Sequence, residues 1–122
     1  MQLMATKSEE GDRPGLGWFD ANVVRLKVSD PYTHKIPHTG WNTIQINHTK
    51  NPLLRGIAQE SEFYFMHLYQ VRLQNPEEAL CDTEYDQTFT SAICRENIYG
   101  VQFHPEKSHD TGQTLFQNFI QL

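Results

Sequence analysis

The sequence predicts a mixed α/β fold, strand-rich in the middle and helical at its ends, and three observations carry that expectation. Residues 63–73 (FYFMHLYQVRL) alternate as an extended strand does. Phe63, Phe65, His67, Tyr69 and Val71 fall on one face, and Tyr64, Met66, Leu68, Gln70 and Arg72 on the other. Further short runs rich in β-branched and aromatic residues recur before and after it. The last segment, TGQTLFQNFIQL, instead sets Leu115, Phe116, Phe119 and Ile120 on one helical stripe. Strands flanked by helices favour α/β layering over a sandwich.

Taken in order, MQLMATKSEE reads as a helix body, with no capping residue ahead of Met1. The expectation is therefore either a helix that starts on the initiator methionine or a chain cut from something longer, with part of its sheet elsewhere. EEGDRPGLGW, with Pro14 and several glycines, is a loop by turn chemistry. Residues 21–28 (ANVVRLKV) are β-branched enough for a strand, and 29–40 (SDPYTHKIPHTG), with two prolines and two histidines, form a long loop. Residues 41–47 (WNTIQIN) alternate Ile44 and Ile46 against polar neighbours, a short half-buried strand. NPLLRGI is a turn with a short helical piece; NPEEA is a turn; LCDTEYD and QTFTSAICREN are a hairpin or two adjoining strands. Residues 98–103 give one more strand, and Asp110 or Thr111 can cap the final helix.

A chain of 122 residues holds one core and is too short for two comfortable domains. Ten Lys and Arg against fifteen Asp and Glu, with no basic block, argue against nucleic-acid binding. No apolar stretch is long enough to span a membrane, and MQLMATKSEEG lacks the pattern of a signal peptide, so a cytoplasmic protein is expected. Cys81 and Cys94 suggest neither a disulfide framework nor a metal knuckle.

The residues with chemistry lie in GVQFHPEKSHDTG (100–112). Pro105 biases His104 away from helix, and an extension that persisted through Pro105 would put Glu106 beside His104. A carboxylate that fixes the imidazole tautomer, and an imidazole that takes a nucleophile's proton, are two thirds of a catalytic triad. A solvated turn at a strand end accounts for the same pair in isolation. Gly100 would let another segment approach closely. Cys94 reads as a buried, inert thiol, and Cys81, beside Asp82 and Glu84, is not poised as a thiolate. The residues supply a base without its nucleophile. On pattern alone Trp41 is core or edge cover, His67 a hydrogen-bonded core histidine, Gln2 and Glu10 surface residues, and Lys107 one partner of a solvated pair. His34, His38, His48 and His109 lack metal-ligand spacing.

Five motifs narrow this further: SEEG (8–11), PGLGW (14–18), PHTGWN (37–42), YFMHLY (64–69) and GVQFHPEKS (100–108). In this order they resemble the class I, triad-type glutamine amidotransferases, and within them the glutaminase subunits of imidazole glycerol phosphate synthase. Met1-Gln2 resembles the end of the family's Gly-x-Cys-x-Gly-x-Gln, which would put its cysteine three residues before Met1. The resemblance implies that residues 1–122 are a partial domain: the C-terminal part of a flavodoxin-like, open mixed α/β sheet. The first strands, the oxyanion loop and the nucleophile elbow would be absent.

It also implies roles. His104 and Glu106 would be base and orienter; Gln2 and Glu10, with the backbone of His67, Leu68 and Tyr69, would hold glutamine. Trp41, Tyr64 and Lys107 would lie at the partner interface, where an ammonia passage begins. The implied partner is a barrel-shaped cyclase subunit, and no cofactor or metal is implied. A synthase that modifies a sugar could receive the ammonia instead, and a catalytically dead binding module is the reading from another class. The 122 residues alone are expected to be inactive. Residues 63–73 and 98–103, apolar on both faces, are expected inside the sheet, and without their neighbours to dimerise or aggregate.

Overall fold

The structure is a computed structural model that describes residues 1–122. In chain order its strands are β1 (Lys7–Ser8), β2 (Arg13–Pro14), β3 (Ala21–Arg25), β4 (His38–Thr43), β5 (Gln45–Ile46), β6 (Glu62–His67), β7 (Tyr69–Leu73), β8 (Ala79–Tyr85), β9 (Gln87–Arg95) and β10 (Ile98–Val101). One α-helix, α1 (His109–Ile120), ends the chain. Short 3-10 turns include Gln2–Met4, Glu10–Asp12, Pro52–Leu54 and Pro105–Lys107.

The main sheet runs β2-β1-β3-β7-β9-β8-β5, with β10 also on β9. Only β1 and β3 are parallel; the other pairs are antiparallel, so the sheet is open and mixed. β7 meets β9 at Val71 and Thr90, and β10 takes over that edge of β9 from Ala92 to Arg95. β4 and β6 form a separate two-stranded ribbon.

Residues 63–73 are not one strand. β6 belongs to the ribbon and β7 to the main sheet, and the chain bends between them at Leu68. The expected faces hold through Phe63, Phe65 and His67, all buried, but in β7 Gln70 and Val71 are buried side by side. The alternation slips because β7 lies between β3 and β9 whereas the ribbon has a solvent face, where Met66 is exposed. An interior position therefore holds for β7 and fails for β6. A similar passage from ribbon to main sheet occurs at Ile44, between β4 and β5, and β4 begins at His38, inside the stretch expected as loop.

The opening segment is not a helix. After the Gln2–Met4 turn the chain extends at Ala5 (φ −74°, ψ 167°), and the Thr6 amide donates to the Ala21 carbonyl. Ala5 is buried with Phe19, Ala21, Val23, Val71 and Ile93, so the sheet ladder and this small cluster outweigh helix propensity. Met1 and Met4 pack over Gly100, where a Cβ would lie 3.0 Å from the Met1 Cγ and the Met4 Sδ.

The larger cluster fills the space between the main sheet, the ribbon and α1, and includes Ile44, Phe63, Phe65, Leu80, Phe89 and Leu115. The β8–β9 hairpin, the helical turn in NPLLRGI and the final helix form as the sequence predicts, although the helix begins at His109 after Ser108. Its stripe is only partly used: Leu115 is buried, while Phe116, Phe119 and Ile120 are exposed. No helix is long and apolar enough to cross a membrane.

Candidate active site

His104 ends an extended segment (φ −104°, ψ 95°), and Pro105 then opens the Pro105–Lys107 turn. The extension does not persist through Pro105; the turn itself joins the pair, with His104 Nδ1 2.6 Å from Glu106 Oε1. The carboxylate accepts, so Nδ1 carries the hydrogen and Nε2 is left as the basic nitrogen. Both side chains remain partly open to solvent.

The turn is anchored to β6. The His104 amide donates to the Tyr64 carbonyl at 2.9 Å. Buried Ser108 accepts from the Tyr64 amide at 3.0 Å and donates to the His104 carbonyl at 2.6 Å. Gly112 lets α1 close on this turn, since a Cβ there would collide with the Pro105 carbonyl. Sequence reasoning missed Ser108, whose role depends on a partner 44 residues away.

A second group meets at the Tyr69 carbonyl. It accepts from His67 Nδ1 at 2.8 Å and from Gln2 Nε2 at 3.4 Å. Leu68 makes the bend between them, its carbonyl held by the Leu26 amide at 2.9 Å. His67 is buried, and its Nε2 lies 2.9 Å from Nδ1 of the equally buried His38, directly opposite in the β4–β6 register. Burial first, then His67 and His34, hold the His38 pKa down to about 4; burial also lowers that of His67, with a smaller contribution from His104. Glu10 lies on the Glu10–Asp12 turn and lines an open hollow with Gln2, Ser8 and Arg13.

On the outer face of the ribbon Trp41 and Tyr64 are cross-strand partners, their rings 6.0 Å apart and edge to face. Lys107 Nζ sits 5.8 Å from the Tyr64 ring centroid. His109, held at φ 49°, stacks on Trp41 at 5.3 Å, a contact that the sequence did not signal. The structure thus gathers Gln2, His67 and Tyr69 at one carbonyl, and His104, Glu106, Lys107, Tyr64 and Trp41 around one turn; β6 links the two groups. Glu10 joins through the hollow it shares with Gln2.

Neither cysteine belongs to these groups. Cys81 is buried in β8, its thiol pushed up to about 12 by burial and then by Asp82. Cys94 donates to the Glu96 carbonyl and accepts from Asn51. No three His, Cys, Asp or Glu residues converge in a way that could hold a metal ion.

Comparison with known proteins gives consistent results. A family model described as "Glutamine amidotransferase class-I" matches residues 1–122. The chain is 46% identical over 123 residues to the imidazole glycerol phosphate synthase subunit HisH 2 of Pseudomonas aeruginosa, covering 99% of this chain and 58% of that protein. With the protein of the same name from Methanococcus maripaludis it shares 47% over 120 residues, 98% and 58% of the respective chains. The chain thus spans 58% of the length of each of these two relatives.

Among solved structures, a protein from Thermoplasma acidophilum described as a GMP synthase subunit superposes with a TM-score of 0.63 at 24% identity, over 84% of this chain and 48% of that one. A glutamine amidotransferase from Thermotoga maritima gives 0.56 at 16% identity, over 84% and 40%. At these identities the two structures establish the fold alone, the open mixed sheet of this family.

Proposed function

The chain belongs to the class I glutamine amidotransferase family, and on that premise we propose that it is the greater part of a glutaminase subunit of imidazole glycerol phosphate synthase, serving histidine biosynthesis in the cytoplasm. The observation that carries the reading is the His104–Glu106 pair at 2.6 Å, in a chain aligned over 99% of its length with such a subunit.

In this reading the nucleophile is the cysteine of the family's Gly-x-Cys-x-Gly-x-Gln motif, which would precede Met1, and Cys81 and Cys94 take no part. His104 Nε2 accepts the thiol proton, and the thiolate attacks the amide carbon of glutamine. His104 then returns the proton to the departing ammonia, and Glu106 holds Nδ1–H throughout. Water, deprotonated by the same nitrogen, releases glutamate from the thioester. Gln2, Glu10 and the backbone of residues 67–69 hold the substrate. The ammonia leaves past Trp41, Tyr64 and Lys107 toward a barrel-shaped cyclase subunit docked on that face.

The test is glutamate release by the protein carrying the family's cysteine motif, assembled with a cyclase subunit. His104→Asn is expected to lower kcat by about 10²–10⁴-fold, with the Met1–Leu122 chain by itself inactive. Unchanged turnover in the variant would remove His104 from the mechanism. Absence of turnover in the unsubstituted assembly would favour a binding module.

A further inference from the structure

We infer that His38 and His67 form a directional imidazole pair that positions the Leu68–Tyr69 backbone to receive the carboxylate of glutamine. The inference rests on the glutaminase reading and extends it to two buried side chains that touch neither substrate nor base.

The direction follows from hydrogen-bond chemistry at both ends. A carbonyl only accepts, so the Tyr69 carbonyl requires a hydrogen on His67 Nδ1, 2.8 Å away. His67 Nε2, in the neutral ring, is then an acceptor, and His38 Nδ1 must donate to it across 2.9 Å. His38 Nε2 is left to accept, and it faces the amide nitrogen of Asn42 at 3.3 Å. The Asn42 side chain cannot be turned over. Its Oδ1 accepts from the Thr43 amide at 2.8 Å, and its Nδ2 donates to the Glu84 carbonyl at 2.9 Å. Both ends of the chain therefore specify the same polarity, and a proton added to either ring would set donor against donor.

The surroundings support this. His38 stacks on Tyr85 at 4.0 Å and on Phe65 at 4.9 Å, and His67 packs against Phe89 at 4.9 Å. No carboxylate hydrogen-bonds to either ring. The titratable neighbours are His34 from the loop before β4, itself 3.9 Å from Asp86, Tyr85 at the end of β8, and His104 from the turn before α1. Burial lowers the basicity of both rings, in accord with neutral partners.

The pair has a task at this position because the chain leaves the ribbon for the main sheet at Leu68. His67 reaches forward over that bend to the carbonyl two residues on, the same carbonyl that takes the Gln2 amide. His38 fixes the ring that fixes the bend. They are positioning residues, not catalytic ones.

Long-range ¹H–¹⁵N spectra of the protein test the pair without reference to activity. Both rings are expected in the Nδ1–H tautomer and neutral at pH 7, with any protonation displaced below the ordinary imidazole value. An Nε2–H tautomer on either, or titration of either near pH 6.5, overturns the proposal. In the assembled enzyme, His38→Phe keeps the stacked ring and removes the donor. It is expected to raise KM for glutamine about tenfold, one hydrogen bond's worth, with kcat within about twofold. His38→Gln, whose amide can donate to His67, should recover most of the loss. Unchanged KM in His38→Phe removes the positioning role. Absence of turnover in the unsubstituted enzyme defeats the glutaminase reading instead, and the tautomers still decide the pair.

Discussion

His38 is 3% exposed and its pKa is held down to about 4, against about 6.5 for a free imidazole. Between those values the unfolded chain binds a proton that the folded chain refuses, so the fold loses stability as the pH falls from 6.5 toward 4 and keeps all of it above 6.5. The loss is on the order of 3 kcal/mol from this residue, and His67 adds to it in the same direction. Urea midpoints measured from pH 7.5 to pH 4 should decline across that window, and in His38→Phe the decline should be markedly shallower. An equal decline in the variant would assign the acid sensitivity to other groups. At this scale the His104–Glu106 pair of the candidate site was legible because the two residues are only two apart, although the Pro105–Lys107 turn, and not the expected extension through Pro105, brings them together. Ser108, His38 and His109 were not legible as parts of one arrangement. Each acquires its role from a residue that only the fold brings near: Tyr64, His67 and Trp41 respectively.

Among the elements, α1 offers the sharpest reversal of an ordinary expectation. Gly112 lies in its first turns, where alanine would normally stabilise an exposed helix by about 1 kcal/mol. Here the added methyl would meet the Pro105 carbonyl, so Gly112→Ala is expected to destabilise by about 1–3 kcal/mol. Because Pro105 stands between His104 and Glu106, the variant should also disturb their hydrogen bond. Thermal melts of the variant give the sign, and a raised Tm would show that the turn yields freely. The hairpin of β8 and β9 was readable because turn and alternation are both local signals. The bend at Leu68 was not, since alternation reports the pleat of one strand and says nothing about which sheet it joins. Nor could the opening residues reveal that a strand partner at Ala21 would claim them.

At the scale of the molecule, the sequence conveyed a mixed, strand-rich α/β class with a helix at its C-terminal end, and missed both the extended opening segment and the division into a main sheet and a ribbon. That division depends on pairings such as His38 with His67 and Ala21 with Leu73, which no local pattern encodes. The exposed Phe116, Phe119 and Ile120 of α1 leave an apolar face of the kind that associates with another surface. The order of strands also has a consequence in time. β8, β9 and β10 are consecutive in the chain and pair as neighbours, so their contacts close short loops and can form early. The candidate site joins position 2 to 69, 38 to 67 and 64 to 108, longer closures that cost more entropy and are expected to form later. Ser108→Ala should therefore speed unfolding with little change in refolding, whereas Leu80→Ala in β8 should slow refolding, as stopped-flow chevrons would record. Slowed refolding in Ser108→Ala would reverse the order. In the expected order, the molecule opens first at the candidate site, long before its scaffold lets go.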